Sequence, residues 1–517
     1  ANGRYREALA LIKHENPFPA VCGRVCYHPC ELHCTRGSID QAVAIDDIKK
    51  FVAEQELKSE ERFIPWKRHD YSDKKIAIIG GGPAGLSCAY YLAQDGYDIT
   101  VFEKEEKIGG MMTFGIPGFR LQKDVVDAEI EVIKELGVKF RTGVEVGKDI
   151  TIPELKEEGF AGFFVAVGAQ KSRKLNLPNE DHPDIVGGLD FLRDANLGHG
   201  KKLHGEVIVV GGGNVAMDVA RTALRQGAEK VNLYCLEQRN EMPSSEDEIK
   251  EAEEEGIVIH NGFGPKEILL EGETFKGITF KKCLSVRDAN GRFNPSYDEN
   301  DVTVAEGTAA LLAIGQAFDY GALFEGTGVT LSPRGTVLAD PSTLQTADPD
   351  IFVGGDCYHG ARFAIDAIAT GKQAAISLHR HVQPGQLLEA GRNLRDFKQI
   401  DIDNINVDAL EGFDNTPRQI PAVGPVDTKS YEDNRGILTE EQIKKEAARC
   451  LKCGRAVVDP NLCVGCGQCV IKCQFDAAHL VKKTNIYGSD FSSILPKAVG
   501  HTIKRSVKIA LGAFKKD

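Results

Sequence analysis

Cysteines carry the first chemical signal in this 517-residue chain, which has fourteen of them. Cys22, Cys26, Cys30 and Cys34 recur every four residues in VCGRVCYHPCELHC. Cys450, Cys453, Cys463, Cys466, Cys469 and Cys473 crowd the other end, the last four as C-x2-C-x2-C-x3-C. Thiolates are soft ligands for zinc or for iron–sulfur clusters, and the C-terminal spacing is that of bacterial ferredoxins, specific for [4Fe–4S]. Gln474 replaces the proline that usually closes such a run. Zinc is the alternative for the first cluster, and His28 and His33 beside it are read as packing or surface residues. The fourth cysteine of a ferredoxin run can serve a second cluster, so Cys473 is a candidate partner for Cys450 and Cys453. At least two [4Fe–4S] clusters are expected, with a third left open. A secreted disulfide scaffold would be small and carry a signal sequence; neither description fits.

The second signal is a pair of nucleotide-binding patterns. In KKIAIIGGGPAGLSCAYYLAQDGYDITVFEKEEKIGG, the apolar run Ile76 to Ile79 reads as a buried parallel strand. Gly80, Gly82 and Gly85 follow as G-x-G-x-x-G, for a tight turn, pyrophosphate approach and close helix packing in turn. A helix over 84–94, opening at Pro83 and Ala84, points its free N–H groups at the phosphates. A strand over 98–102 then ends at Glu103, an acceptor for ribose hydroxyls. The order repeats in EVIVVGGGNVAMDVARTALRQGAEKVNLYCLE, with Gly211, Gly213 and Ala216 as the G-x-G-x-x-A variant, Asn214 and Val215 opening the helix, and Glu237 as the acid. Two units with two acids imply two nucleotides. Glu237 binds the 2′-OH of NAD(H) and repels a 2′-phosphate; Arg239 softens this and leaves NADP(H) open. Gly110, Gly168, Gly315 and Gly355 mark further close approaches of backbone to a dinucleotide. Asp356 suits a ribityl chain or, through water, a pyrophosphate. A helix over 363–379 is expected to face a flavin ring with its N-terminus.

These elements imply an α/β chain with two Rossmann-like dinucleotide-binding domains of glutathione-reductase type, a helical N-terminal iron–sulfur domain and a C-terminal ferredoxin-like segment. The boundaries read 1–60 for the N-terminal domain, 74–175 with 308–385 for a discontinuous FAD domain, and 176–307 for the NAD(P) domain. A linker follows over 386–438, the ferredoxin-like segment over 439–485, and a basic tail over 486–517. The tail, with Lys497, Lys504, Arg505, Lys508, Lys515 and Lys516, reads as a docking helix, with weak membrane-surface contact as the alternative. Residues 240–305 read as short strands and polar turns, and the run Ala310 to Gln316 as the return to the first domain. A net charge of −13 excludes a general nucleic-acid binder. No apolar run is long enough to span a membrane, and a cytoplasmic setting is expected.

NPFPAVCGRVCYHPCE, GIPGFRL, EMPSSEDE and GGDC, with the two glycine units, resemble the small subunit of glutamate synthase and its relatives over about residues 1–385. The relatives include the flavin-containing part of dihydropyrimidine dehydrogenase and the large subunit of electron-bifurcating NADH-dependent ferredoxin:NADP oxidoreductase. The resemblance implies FAD at Gly80, Gly82, Gly85, Glu103 and Asp356, a pyridine nucleotide at Gly211, Gly213 and Ala216, and clusters beside the flavin. Three departures stand out. Cys235 and Leu236 replace an arginine pair that holds the 2′-phosphate in many relatives. Lys49 stands where some place a Glu or Gln ligand. The Cys-Leu-x-Cys pair that relatives carry ahead of the first cluster is here EAARCLKC, near the C-terminus, so that segment is expected to fold back on the N-terminal domain. The expected function is hydride exchange between NAD(H) and FAD, coupled to one-electron transfer through clusters to or from a partner subunit or ferredoxin. A bifurcating transhydrogenase subunit and a non-catalytic relay scaffold are the alternatives. Hydride transfer needs no side-chain acid or base, so no catalytic residue is nominated.

Overall fold

The computed structural model describes residues 2–389, 413–451, 466–472, 496, 499–507 and 509. The chain divides into two units, Ala1–Leu451 and Lys452–Asp517. Cys453, Cys463 and Cys473, and Lys497, Lys508, Lys515 and Lys516 of the tail, lie outside the described residues.

Within the first unit, the β-branched run after Lys75 forms the strand Tyr71–Ile79 at the centre of a five-stranded parallel sheet. The order is Ile351–Val353, Phe160–Val165, Tyr71–Ile79, Tyr97–Glu103, Lys139–Thr142. Successive strand residues face opposite sides, and both sides are apolar. Ile76 and Ile78 pack with Leu86, Leu92, Ala374 and Leu378 of two helices. Ala77 and Ile79 pack with Ile152, Leu155 and Leu323 on the other side. Burying each such Leu or Ile is worth about 1.5–3 kcal/mol, which fixes the strand end that delivers Gly80. The helices are Pro83–Gln94 and Ala364–Val382, the latter starting one residue later and ending three residues later than the sequence suggests.

A second parallel sheet has the order Ile185–Gly187, Ala309–Leu312, Glu206–Val210, Lys230–Cys235, Val258–Asn261. The helix Asn214–Arg225 covers one face through Val207, Val209, Leu233 and Leu311. Three antiparallel strands, Phe263–Glu271, Thr274–Arg287 and Phe293–Glu306, cover the other through Ile268, Ile278 and Phe280. Two expectations are corrected here. The strand after residue 308 pairs with Val207–Val210 and Ile185–Gly187, so it completes the second sheet before the chain returns. Residues 240–305 hold a helix, Glu246–Glu254, and strands of up to 14 residues, because cross-strand pairing carries them through polar stretches that read as turns.

The N-terminal residues form helices Tyr5–Glu15, Pro19–Val25, Pro29–Leu32 and Ile45–Leu57. His28 breaks the helical path in the left-handed region, at φ 57°. Residues 413–451 pack against this domain, as the displaced Cys-Leu-x-Cys pair led one to expect. The helix Glu440–Ala448 contacts Ile45–Leu57, and Tyr5 Oη donates to Glu440 at 2.9 Å. Its start, at 439 by the sequence, therefore belongs to the first unit and not to a separate C-terminal segment. In the second unit, Cys469 lies on the helix Gln468–Lys472. Residues 499–507 are helical, with Val499, Ile503 and Val507 exposed at every fourth position. Among the described residues, no helix is long and apolar enough to cross a membrane.

Candidate functional site

Both glycine turns open into one cavity of about 850 Å³, toward the upper end of ordinary ligand pockets. Gly80 leaves its strand at φ 108°, and a Cβ there would sit 2.4 Å from the Ala166 carbonyl oxygen. Gly211 repeats the geometry, with 2.3 Å to the Ala313 carbonyl oxygen. Gly85 is forced by packing: a Cβ would lie 2.0 Å from the Gly80 carbonyl oxygen. At Gly82 and Gly213 the nearest atoms to an added Cβ are 3.8 and 4.0 Å away, so bare backbone faces the cavity where a pyrophosphate must approach.

The cavity wall holds Gly80, Gly82, Pro83, Ala84, Glu103, Gly110 and Gly168 from the first sheet's side. From the second come Gly211, Gly213, Asn214, Val215, Glu237 and Gly315, and Gly355 and Asp356 close it. Gly85 and Ala216 lie behind the turns they shape. Arg239 is not on the wall; it is held by Glu246 at 2.7 Å and Glu253 at 3.6 Å. Glu103 accepts the Gly81 N–H at 2.8 Å and the Glu105 N–H at 3.0 Å, which fix its carboxylate at the strand end. Burial raises its pKa, against those two bonds. Burial also pushes Asp356 up to about 6, although it accepts the Arg362 N–H at 3.2 Å. Glu237 stands over Gly212, where a Cβ would come within 2.7 Å of its Oε2. The middle glycines Gly81 and Gly212 are therefore part of the site, and the GGG repeated in both units was their signal.

Sequence reading missed a buried ion network at the wall. Arg120, in the GIPGFRL loop, pairs with Asp218 at 2.7 Å and Glu248 at 2.6 Å. Arg221 continues it to Glu255 at 2.8 Å. Asp218 lines the cavity, and its Oδ1 is buried without a hydrogen-bond partner among the described residues. The cysteine-bearing domain reaches the same cavity. Val25 is on the wall, and Tyr27 stacks at 4.0 Å on Phe363, which lines it too. Glu129 accepts the N–H groups of Ala20 and Val21 at 2.8 and 3.0 Å, docking the helix that carries Cys22.

Cys22 is buried, Cys26 and Cys34 half-buried, and Cys30 and Cys450 exposed. Burial pushes Cys22 up to about 12 and Cys30 to about 11, with the nearby Lys49 opposing. Lys49 itself pairs with Asp46. Among the described residues, no three of the His, Cys, Asp and Glu side chains converge as a metal site. Cys466 and Cys469 are exposed in the second unit.

Residues 74–371 match the pyridine nucleotide-disulphide oxidoreductase family. The chain belongs to that family. Residues 1–61 match dihydropyrimidine dehydrogenase domain II, 4Fe-4S cluster, and residues 456–479 a 4Fe-4S binding domain. This member of the pyridine nucleotide-disulphide oxidoreductases is 37% identical over 487 residues to the beta subunit of NADP(+)-dependent formate dehydrogenase of Moorella thermoacetica, covering 88% of this chain and 68% of that one. It is 35% identical to the small chain of NADPH glutamate synthase of Halomonas elongata, covering 72% and 82%. FprA of Mycobacterium tuberculosis in complex with NADPH shares the fold, with a TM-score of 0.52 and 18% identity over 60% of this chain and 84% of that one. The chain is thus a flavin- and pyridine-nucleotide-dependent oxidoreductase with 4Fe–4S domains, of the glutamate synthase small-subunit type.

Proposed function

We propose that the chain is an electron-transfer subunit that exchanges hydride between NAD(H) and FAD and passes single electrons through [4Fe–4S] clusters to or from a partner subunit or ferredoxin. One observation carries the reading: both fingerprints, both acids and the edge of the cysteine domain border a single cavity. Bound flavin supplies the junction between two-electron hydride and one-electron carriers. The residues present fit it. Gly82 and the residues after Pro83 in the first turn of Pro83–Gln94 give the pyrophosphate bare N–H groups, Glu103 accepts from ribose, and Asp356 faces the ribityl chain.

The chain's own groups orient the pyridine nucleotide. Glu237 accepts from the adenosine ribose. Arg239 is committed to Glu246 and Glu253, which supports NAD(H), although the formate dehydrogenase and glutamate synthase relatives are named for NADP(+) and NADPH. Arg36 donates to the Arg449 carbonyl at 3.1 Å, a contact that supports assigning Cys450 to the N-terminal ligand set. Cys450→Ser is then expected to lower bound iron while leaving flavin content unchanged. The function is tested by NADH-dependent reduction of a one-electron dye by the flavin-loaded chain; failure with both NADH and NADPH contradicts it.

A further inference from the structure

The hairpin on the second sheet is longer than the layer it belongs to. Phe263–Glu271 pairs with its neighbour only from Thr274 to Lys282. Thr274–Arg287 and Phe293–Glu306 continue outward as a pair, with Cys283 opposite Tyr297 and Arg287 opposite Phe293. Cys283 still donates its N–H to the Gly262 carbonyl at 2.8 Å, and residues 284–296 overhang as a two-stranded arm, a form that is marginal in water without something to pack on.

The arm's outer strand carries Phe293, Pro295 and Tyr297. All three line the nucleotide cavity. Phe293 is 65% exposed and belongs to none of the hydrophobic clusters among the described residues. Tyr297 is anchored. Lys281 Nζ lies 4.2 Å from its ring centroid, and its ring and Leu236 both close on Gly264, where a Cβ would come within 2.5 and 2.9 Å of them. Leu236 immediately precedes Glu237, the carboxylate at the ribose. The aromatic side chains of this strand thus stand at the adenosine end of the second fingerprint.

We propose that this overhang, with Tyr297 at its base, is an adenosine clamp: Phe293 and Tyr297 offer ring faces to the adenine of the pyridine nucleotide. Every base has a π-face, so the clamp adds affinity without reading the 2′ position, which stays with Glu237. The proposal rests on the second unit binding a pyridine nucleotide.

The test uses the flavin-loaded full chain. Calorimetry gives affinities for NAD+ and ADP-ribose, and the rate of flavin reduction by reduced nicotinamide mononucleotide reports the other half of the cofactor. Phe293→Ala and Tyr297→Leu are each expected to weaken NAD+ and ADP-ribose by about tenfold, to leave the mononucleotide rate unchanged and to keep flavin content. Phe293→Trp is expected to restore binding. Unchanged ADP-ribose affinity in both truncations, or an equal loss with the mononucleotide, overturns the clamp. If the unaltered chain binds ADP-ribose but is reduced by no pyridine nucleotide, the functional reading falls while the clamp stands.

Discussion

On the proposed reading, two residues decide what the nucleotide turns accept. A carboxylate beside a ribose makes charge-assisted hydrogen bonds worth about 1.5–3 kcal/mol. Glu237→Ala is therefore expected to raise KM for NADH by about tenfold or more and to shrink the ratio of kcat/KM for NADH over NADPH. An unchanged ratio would remove Glu237 from the site. Gly85 acts by backbone contact alone. An added methyl would lie 2.0 Å from the Gly80 carbonyl oxygen, so Gly85→Ala must push the helix Pro83–Gln94 off its strand. The expected result is protein without bound flavin, read as flavin per polypeptide. These residues were legible because each answers to one local constraint at fixed spacing. Arg239 shows the limit of that reading: spacing placed it beside the ribose, but an ion pair with Glu246 takes its guanidinium away.

The ion network joins elements, and no local pattern announces it. Arg120 and Asp218 are 98 positions apart, so only the packed structure brings them together. Burial pushes Asp218 and Glu248 up, Glu248 to about 7, and Arg120 opposes this. A buried acid whose folded pKa is raised costs stability once pH passes its unfolded value, and the cost grows until the folded value is reached. Arg120→Met leaves both carboxylates without their main partner, a loss of about 3–5 kcal/mol. The thermal midpoint should fall most above pH 7, and the deficit should shrink toward pH 5 as Glu248 takes up a proton. A deficit independent of pH would contradict the network. The overhanging hairpin was hidden for a related reason: strand length is set by pairing partners, and its polar alternation reads as turns.

At the scale of the molecule, residues 413–451 return to the N-terminal domain, closing sequence ends that composition alone left separate. Arg449, fully buried, donates to the carbonyls of Thr416 and Gln41 at 2.9 and 2.6 Å and to Glu446 at 2.6 Å. Glu446 in turn accepts the Ala44 N–H at 2.8 Å. Arg449→Ala is expected to speed hydrogen exchange across 413–451 without loss of flavin; unchanged protection would mean that the apolar contact of Ile443 and Leu438 with Phe51 and Val52 suffices. The two fingerprints were readable along the chain. The shared cavity was not, because it forms only when the two sheets face each other with the cysteine domain at their edge. The most direct measurement of that shared cavity is anaerobic rapid mixing of the flavin-loaded chain with NADH, following the flavin absorbance band. The account predicts prompt bleaching, abolished by neither dilution nor salt once nucleotide is bound. A flavin that stays oxidised with NADH and NADPH alike would contradict it.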